Sequence, residues 1–234
     1  MKQVHFFCQS KGGVGKSMII YLHALKYQND HTVFFLDADS ATKTSTRQLA
    51  FLHGQTPPRF GTFQLLNEVR GAIDRQLLFS NLQHLATLPQ QHFYIDCGST
   101  ESNQLPELFK DYTAQEIKHI EKELNMKIIF NVIISGSAYL ATCTYLNEVV
   151  RMVEELFEVR ILLNAFTFQN NLELIEEVKM YSKNHSVNSI KLVADFDTNA
   201  SPIKNILNKI TLGQGLENYV FIERIKILKE INKL

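Results

Sequence analysis

The chain has 234 residues, 24 basic and 24 acidic side chains, and a hydrophobic fraction of 45%. That length suffices for one α/β domain with a substantial core, and the zero net charge removes any global electrostatic drive toward nucleic acid or a membrane surface. Cys8, Cys97 and Cys143 form no Cys-x-x-Cys pair, no apolar run is long enough to span a bilayer, and no signal segment precedes the first strand, which argues against a zinc site, a disulfide framework and export, and for the cytosol.

Apolar runs alternate with amphipathic stretches, the rhythm of an α/β fold with a doubly wound, mostly parallel sheet and helices on both faces. Residues 4–8 are expected as the first strand, 16–28 as the helix after it and 32–36 as the second strand. A polar loop with Pro57 and Pro58 follows, then helices near 63–68 and 72–78 and a short strand at 93–95. Residues 105–124 read as two helical pieces, broken near 111–113. The continuous apolar run 128–134 suits a central strand buried on both faces. Beyond it come a long helix at 139–157, a strand at 160–163, a helix at 172–182, a strand at 190–194 and a helical tail from Pro202. No repeat, low-complexity segment or linker interrupts the chain, so a single domain over 1–234 is expected.

The last helix poses a choice. Phe221, Ile222, Ile225, Leu228 and Ile231 recur at helical spacing, with Arg224, Lys226, Lys229 and Lys233 between them. Such a helix suits a membrane interface or docking on the sheet. Glu223, Glu230 and Ile227 favour docking, which predicts that Ile225 and Leu228 are buried. The same basic residues are the one concentration of positive charge, which is little support for DNA binding.

The chemistry concentrates at strand ends. Ser10-Lys11-Gly12-Gly13-Val14-Gly15-Lys16-Ser17 lies between the first strand and the first helix, the context of a phosphate-binding loop. Backbone N–H groups of Gly12, Gly13, Val14, Gly15 and the helical turn through Met18 would converge on an anion at a helix N-terminus. Lys16 would reach the β- and γ-phosphates, and the Ser17 hydroxyl would ligate Mg²⁺. Asp37 and Asp39 close the second strand, with Thr42, Thr44 and Ser45 after them. A carboxylate there can orient an attacking water or sit near the metal; equally, the pair can cap the next helix. Asp96 follows the apolar run 93–95, with Gly98 as a hinge just behind it, and has the form of a Walker B aspartate that holds Mg²⁺ directly or through water. Cys97 reads as packing, because no resolving cysteine or partnered histidine is recognisable. The Asn-Lys-x-Asp guanine signature is absent, which favours ATP over GTP.

A lysine directly before paired glycines, with Ser10 where the common motif has glycine, resembles the deviant loop of the MinD/ParA group of P-loop ATPases. The resemblance implies a Mg²⁺-dependent ATPase, slow without a partner, that dimerises when ATP is bound. It further implies that Lys11 crosses the dimer interface to the partner's phosphates and that Lys11, Lys16 and Asp39 form the catalytic set. Ser17, Asp37 and Asp96 are then the metal side. Asn164, at the end of the 160–163 strand, would contact adenine, with Asp195, Phe196 and Asp197 as the other wall; an asparagine satisfying buried backbone is the competing use. A narrower likeness lies in Lys2-Gln3-Val4-His5, Tyr94-Ile95-Asp96-Cys97-Gly98-Ser99, Leu105-Pro106-Glu107-Leu108 and Ile133-Ile134-Ser135-Gly136-Ser137-Ala138-Tyr139-Leu140 with Thr142. These look like the TraL-type conjugal-transfer ATPases of mobile plasmids, over residues 2–168. The resemblance implies a partner protein of a conjugation apparatus. The alternatives are a partition or positioning ATPase, a nucleotide-gated interaction module with negligible hydrolysis and, more remotely, a ligase or amidotransferase. The tail carries neither the Cys-x-x-Cys of iron–sulfur carriers nor a tyrosine cluster, which sets those relatives aside.

Overall fold

In β1 (Lys2–Cys8), Val4, Phe6 and Cys8 face one apolar layer while Phe7 faces another, as a strand covered on both sides requires. The computed structural model that shows this describes residues 1–67, 71–185, 187–196 and 201–234. After β1 come α1 (Lys16–Lys26), β2 (Val33–Asp37), α2 (Thr44–Gln48), β3 (Phe60–Thr62), β4 (Leu66–Asn67), β5 (Ala72–Ile73) and α3 (Arg75–Thr87). Then follow β6 (His92–Asp96), α4 (Ser99–Gln104), α5 (Ala114–Glu123), β7 (Met126–Ser135), α6 (Tyr139–Val153) and β8 (Glu158–Asn164). The chain ends with α7 (Glu173–Asn184), β9 (Val187–Val193), α8 (Ser201–Thr211) and α9 (Phe221–Ile231).

Seven strands pair in the order β3-β2-β6-β1-β7-β8-β9, every pairing parallel. On one face Leu78 and Leu82 of α3, Ile117 of α5, Tyr145 and Val149 of α6 and Val178 of α7 close over the sheet. On the other, Ile19 and Ile20 of α1, Ile203 and Ile206 of α8 and Ile227 and Ile231 of α9 do the same. This is the expected doubly wound α/β architecture. It brings the carboxyl ends of β1, β2, β6 and β8 to one rim, where ligands bind in such sheets. The register runs short at one edge and irregular at the other: β3 has three residues, and a bulge at Val159/Arg160 shifts the β8–β9 ladder.

The segment after Pro58 departs from expectation. No helix occupies 63–67; Phe63 and Leu65 are buried outside any helix or strand, and β4 pairs antiparallel with β5. The rest of the expected 63–68 helix, residue 68, lies outside the described residues. Its neighbour, expected at 72–78, starts at Arg75 instead, because the Asp74 side chain accepts from Gln76 N and fixes the helix start. Edge strand β3 was not foreseen. It is tied down by the buried Arg59, whose guanidinium donates to the carbonyls of Tyr27, Gln28 and Val33.

The C-terminal helix docks, but not on the predicted residues. Ile225 is 49% and Leu228 37% exposed, whereas Ile227 and Ile231 are buried, together with Glu223 and Glu230. Both carboxylates are satisfied inside: Lys209 Nζ donates to Glu223 at 2.5 Å, and Asp195 N and Lys233 Nζ donate to Glu230 at 2.9 and 2.8 Å. Paired acids are therefore tolerated in the packed stripe, and of the apolar stripe read from spacing Ile231 faces in while Phe221, Ile222, Ile225 and Leu228 face outward. Among the described residues no helix is long and apolar enough to cross a membrane.

Candidate functional site

The loop from β1 into α1 takes a backbone that only glycine permits at its end. Gly15 has φ +98°, and a Cβ there would lie 2.5 Å from Asn164 Nδ2. Asn164 is buried, donates to Val14 O at 2.8 Å, and so braces the loop from the end of β8. Its Oδ1 has no partner among the described residues. Gln9 braces the loop from the other side, donating to Ile133 O at 2.8 Å and accepting from Lys11 N at 3.3 Å. Lys11, Gly12 and Gly13 are exposed, and nothing lies within 4 Å of the positions where Cβ atoms of Gly12 or Gly13 would be. Lys16 is buried and folds back onto Gln9 O at 3.0 Å. The loop is thus an open nest of backbone donors at a helix N-terminus, with its lysine held inside.

Beside it stands Asp96, 1% exposed. Ser17 Oγ and Ser45 Oγ both donate to its Oδ2 at 2.6 Å, and its Oδ1 has no partner among the described residues. Burial pushes the Asp96 carboxyl up to about 6, against the pull of the two hydroxyls and of Lys16. A buried, half-satisfied carboxylate beside a helix N-terminal hydroxyl is a fit for a hard divalent cation. No cluster of three or more metal-ligating side chains exists among the described residues. Mg²⁺ takes one or two protein oxygens and leaves the rest of its shell to phosphates and water.

Asp37 is brought near but is already engaged. Its Oδ1 accepts from Asp39 N at 3.0 Å, and its Oδ2 accepts from Thr46 N and Oγ1, each at 2.7 Å, so it caps α2. Asp39 accepts from Ala41 N and Thr42 N at 2.9 Å and from the Thr42 hydroxyl. Partial burial would raise the Asp39 carboxyl, but the donations from Thr42 and Ala41 and the charge of Lys16 outweigh it and hold it below its usual range. It is a fixed anion at the rim. Met18 is half-buried in the first turn of α1. On the far wall, Phe196 is buried, with its carbonyl accepting from Gln169 at 3.1 Å, while the Asp195 side chain is about half exposed. Asp197 lies outside the described residues. Cys97 is buried beside Cys8, and burial pushes its thiol well up, so it is no nucleophile at neutral pH.

Glu101 escaped the sequence reading. It is 1% exposed on α4 and accepts from Ser40 N at 3.2 Å and Ser40 Oγ at 2.5 Å. A Cβ on Gly98 would lie 2.2 Å from Glu101 Oε2 and 2.9 Å from Asp39 Oδ1. Gly98 therefore lets two carboxylates close on the loop that follows Asp96. The one signal in the sequence was an acid placed to fall in the first turn of a helix, which normally means only a favourable dipole.

Solved structures share this arrangement of elements. The chain is similar to MinD in the MinC:MinD cell division protein complex of Aquifex aeolicus, with 12% identity over 98% of this chain and 94% of that one and a TM-score of 0.54. It is similar to a ParA family ATPase of Chlorobium tepidum TLS, with 14% identity, full coverage of both chains and a TM-score of 0.52. A plasmid partition protein of Borrelia burgdorferi B31 bound to AMPPNP matches at 14% identity over 99% and 98%, with a TM-score of 0.52. No protein-family model matches the sequence, and no curated protein does. These likenesses lie in the fold: the chain has the seven-stranded, doubly wound architecture of MinD- and ParA-type P-loop proteins.

Proposed function

We propose that the chain is a Mg²⁺-dependent, ATP-binding and slowly hydrolysing switch of the ParA/MinD type, acting as an ATP-dependent homodimer on a partner complex. The observation that carries this reading is the meeting of Ser17 and Ser45 on one oxygen of buried Asp96, beside an open glycine nest that ends in Lys16. Ser17 and Asp96 would hold Mg²⁺, which neutralises phosphate charge when bound. Gly12, Gly13, Val14 and Gly15 would hold the phosphates through backbone N–H groups, and Lys16 would leave Gln9 O for them. Asn164 would border the base. Asp39, kept ionised, would orient water, and exposed Lys11 is free to reach a second copy.

The role in plasmid conjugal transfer rests on the TraL-type sequence likeness. The partition alternative is supported by the similarity to the Borrelia protein. One observation favours a nucleotide-gated module with negligible hydrolysis: Asp39 is tied back onto its own loop by three donations. Phosphate release from purified protein with ATP and Mg²⁺ separates the two. Turnover that falls roughly tenfold or more in Asp39→Ala, with ATP affinity kept, supports the enzyme. Binding without turnover supports the module.

A further inference from the structure

A cavity of about 230 Å³ lies at the opposite end of the sheet from the phosphate loop, between the amino-terminal halves of the strands and the last turn of α1. One water needs only roughly 10–15 Å³ of such space, so the cavity has room for a ligand of several non-hydrogen atoms. Its floor is a stack of rings. His5 stacks on Tyr94 at 4.7 Å between centroids, and His23 lies 4.9 Å from Tyr94, tilted by 41°. Two cations look into it from neighbouring strands, Arg160 of β8 and Lys191 of β9.

The polar groups are not balanced. His23 is buried, and its Nδ1 has no hydrogen-bond partner among the described residues, although buried polar atoms are nearly always paired. Burial pushes its imidazole well below the usual range, and the charges of Lys26, Lys191 and Arg160 press the same way. Lys191 is lowered as well, by its partial burial and by Lys26 and Arg160. The nearby acceptors answer these charges only in part: Lys191 Nζ donates to Leu234 O, leaving its other two protons for a ligand. Glu158 is shared between Arg160 and Lys127, each at 2.5 Å, and Asp30 accepts from Thr32 N and Oγ1 at 2.9 and 2.6 Å. The carbonyl end of α1 would repel an anion, but Arg59 covers the carbonyls of Tyr27 and Gln28.

We propose that this cavity is a second binding site, separate from the phosphate loop, for a small oxyanion (a phosphate- or carboxylate-bearing molecule) held by Arg160, Lys191 and His23. Both cations are reachable from solvent, and the imidazole supplies a donor in the Nδ1–H tautomer. The inference does not depend on the ATPase reading.

The test uses the full chain carrying Lys16→Ala, so that the phosphate loop does not compete. Inorganic phosphate and, separately, acetate are titrated at constant ionic strength while histidine imidazole signals are followed by NMR. Saturable movement of the His23 signal is expected. Arg160→Gln and Lys191→Gln should each weaken it roughly tenfold or more, and the tighter probe identifies phosphate or carboxylate as the ligand chemistry. Lys191 is exposed, so its variant folds and decides alone if Arg160→Gln does not. No movement with either probe at tens of millimolar, or movement unchanged in Lys191→Gln, overturns the proposal.

Discussion

At the carboxyl ends of the strands, Asp37, Asp96 and Glu101 are buried, and hydroxyl and backbone N–H groups from neighbouring loops converge on them. At the amino ends, His5 and His23 are buried instead, with Arg160 near both and Lys26 and Lys191 near His23. Among the described residues each end keeps buried atoms without a partner, Asp96 Oδ1 and Asn164 Oδ1 at one and His23 Nδ1 at the other. Low-dielectric surroundings raise the cost of leaving such an atom alone. The first invites a cation and the second an anion, so one sheet presents two sites of opposite preference.

The contrast predicts a particular response to acid. Burial, helped by Arg160 and His92, lowers the His5 imidazole to about 3, so the folded chain keeps it neutral where the unfolded chain protonates it. The stability it contributes is fully present above about pH 6.5 and is lost as pH falls toward 3. Between pH 7 and 4 that loss is about 3 kcal/mol, and His23 adds to it in the same direction. Asp96 opposes them: held up to about 6, it protonates first in the folded chain and returns roughly 2 kcal/mol over the same span. Two histidines against one carboxyl leave a net loss. Denaturant midpoints measured from pH 7 to 4 should fall, and should fall less in His5→Gln; an equal slope in that variant would remove His5 from the account.

The carboxyl end is probed by Lys16→Ala, which should cost about 2–3 kcal/mol of ATP affinity, roughly a hundredfold, in calorimetry. Wild-type affinity in that variant would break the site assignment. Gly98→Ala is a subtler probe. Its φ of −58° suits any residue, so the whole effect comes from displacing Glu101 and Asp39, which should lower stability by about 1–2 kcal/mol. Glu101→Asp in the same background should recover part of that loss, since the shorter side chain draws back from the added Cβ. The smallest effect lies at the surface: Ile225→Ser on the outer face of α9 should change stability by less than about 0.5 kcal/mol, whereas Ile227→Ala should cost about 2–4 kcal/mol. Equal effects would mean the helix packs as its spacing first suggested.

That helix shows what sequence can and cannot carry. The β1–α1 unit was legible because strand periodicity, paired glycines, Lys16 and Ser17 all agree over a short span. Asp96 was legible from an apolar strand ending in an acid. Glu101 was not, because its burial depends on Ser40, which lies far away in sequence and meets it only in the fold. The 63–68 stretch misled because Phe63 and Leu66 stand at helical spacing, and nothing local announces that buried Arg59 will pin a short strand beside β2. In α9 the deciding fact was again non-local: Lys209 and the backbone N–H of Asp195 make Glu223 and Glu230 fit inward, and that turns most of the apolar stripe outward.

The edges of the sheet set how copies of this chain can meet. An edge strand with free N–H and C=O groups is a template for joining sheets end to end. Here one edge, β3, offers three residues, and the other, β9, is irregular where it leaves β8 and carries Asn188, Ser189 and Lys191. A second copy laid along either edge would find few backbone groups in register, and at β9 it would desolvate a lysine. Polymerisation by strand addition is thereby discouraged, and association is steered toward contacts through loops and helices.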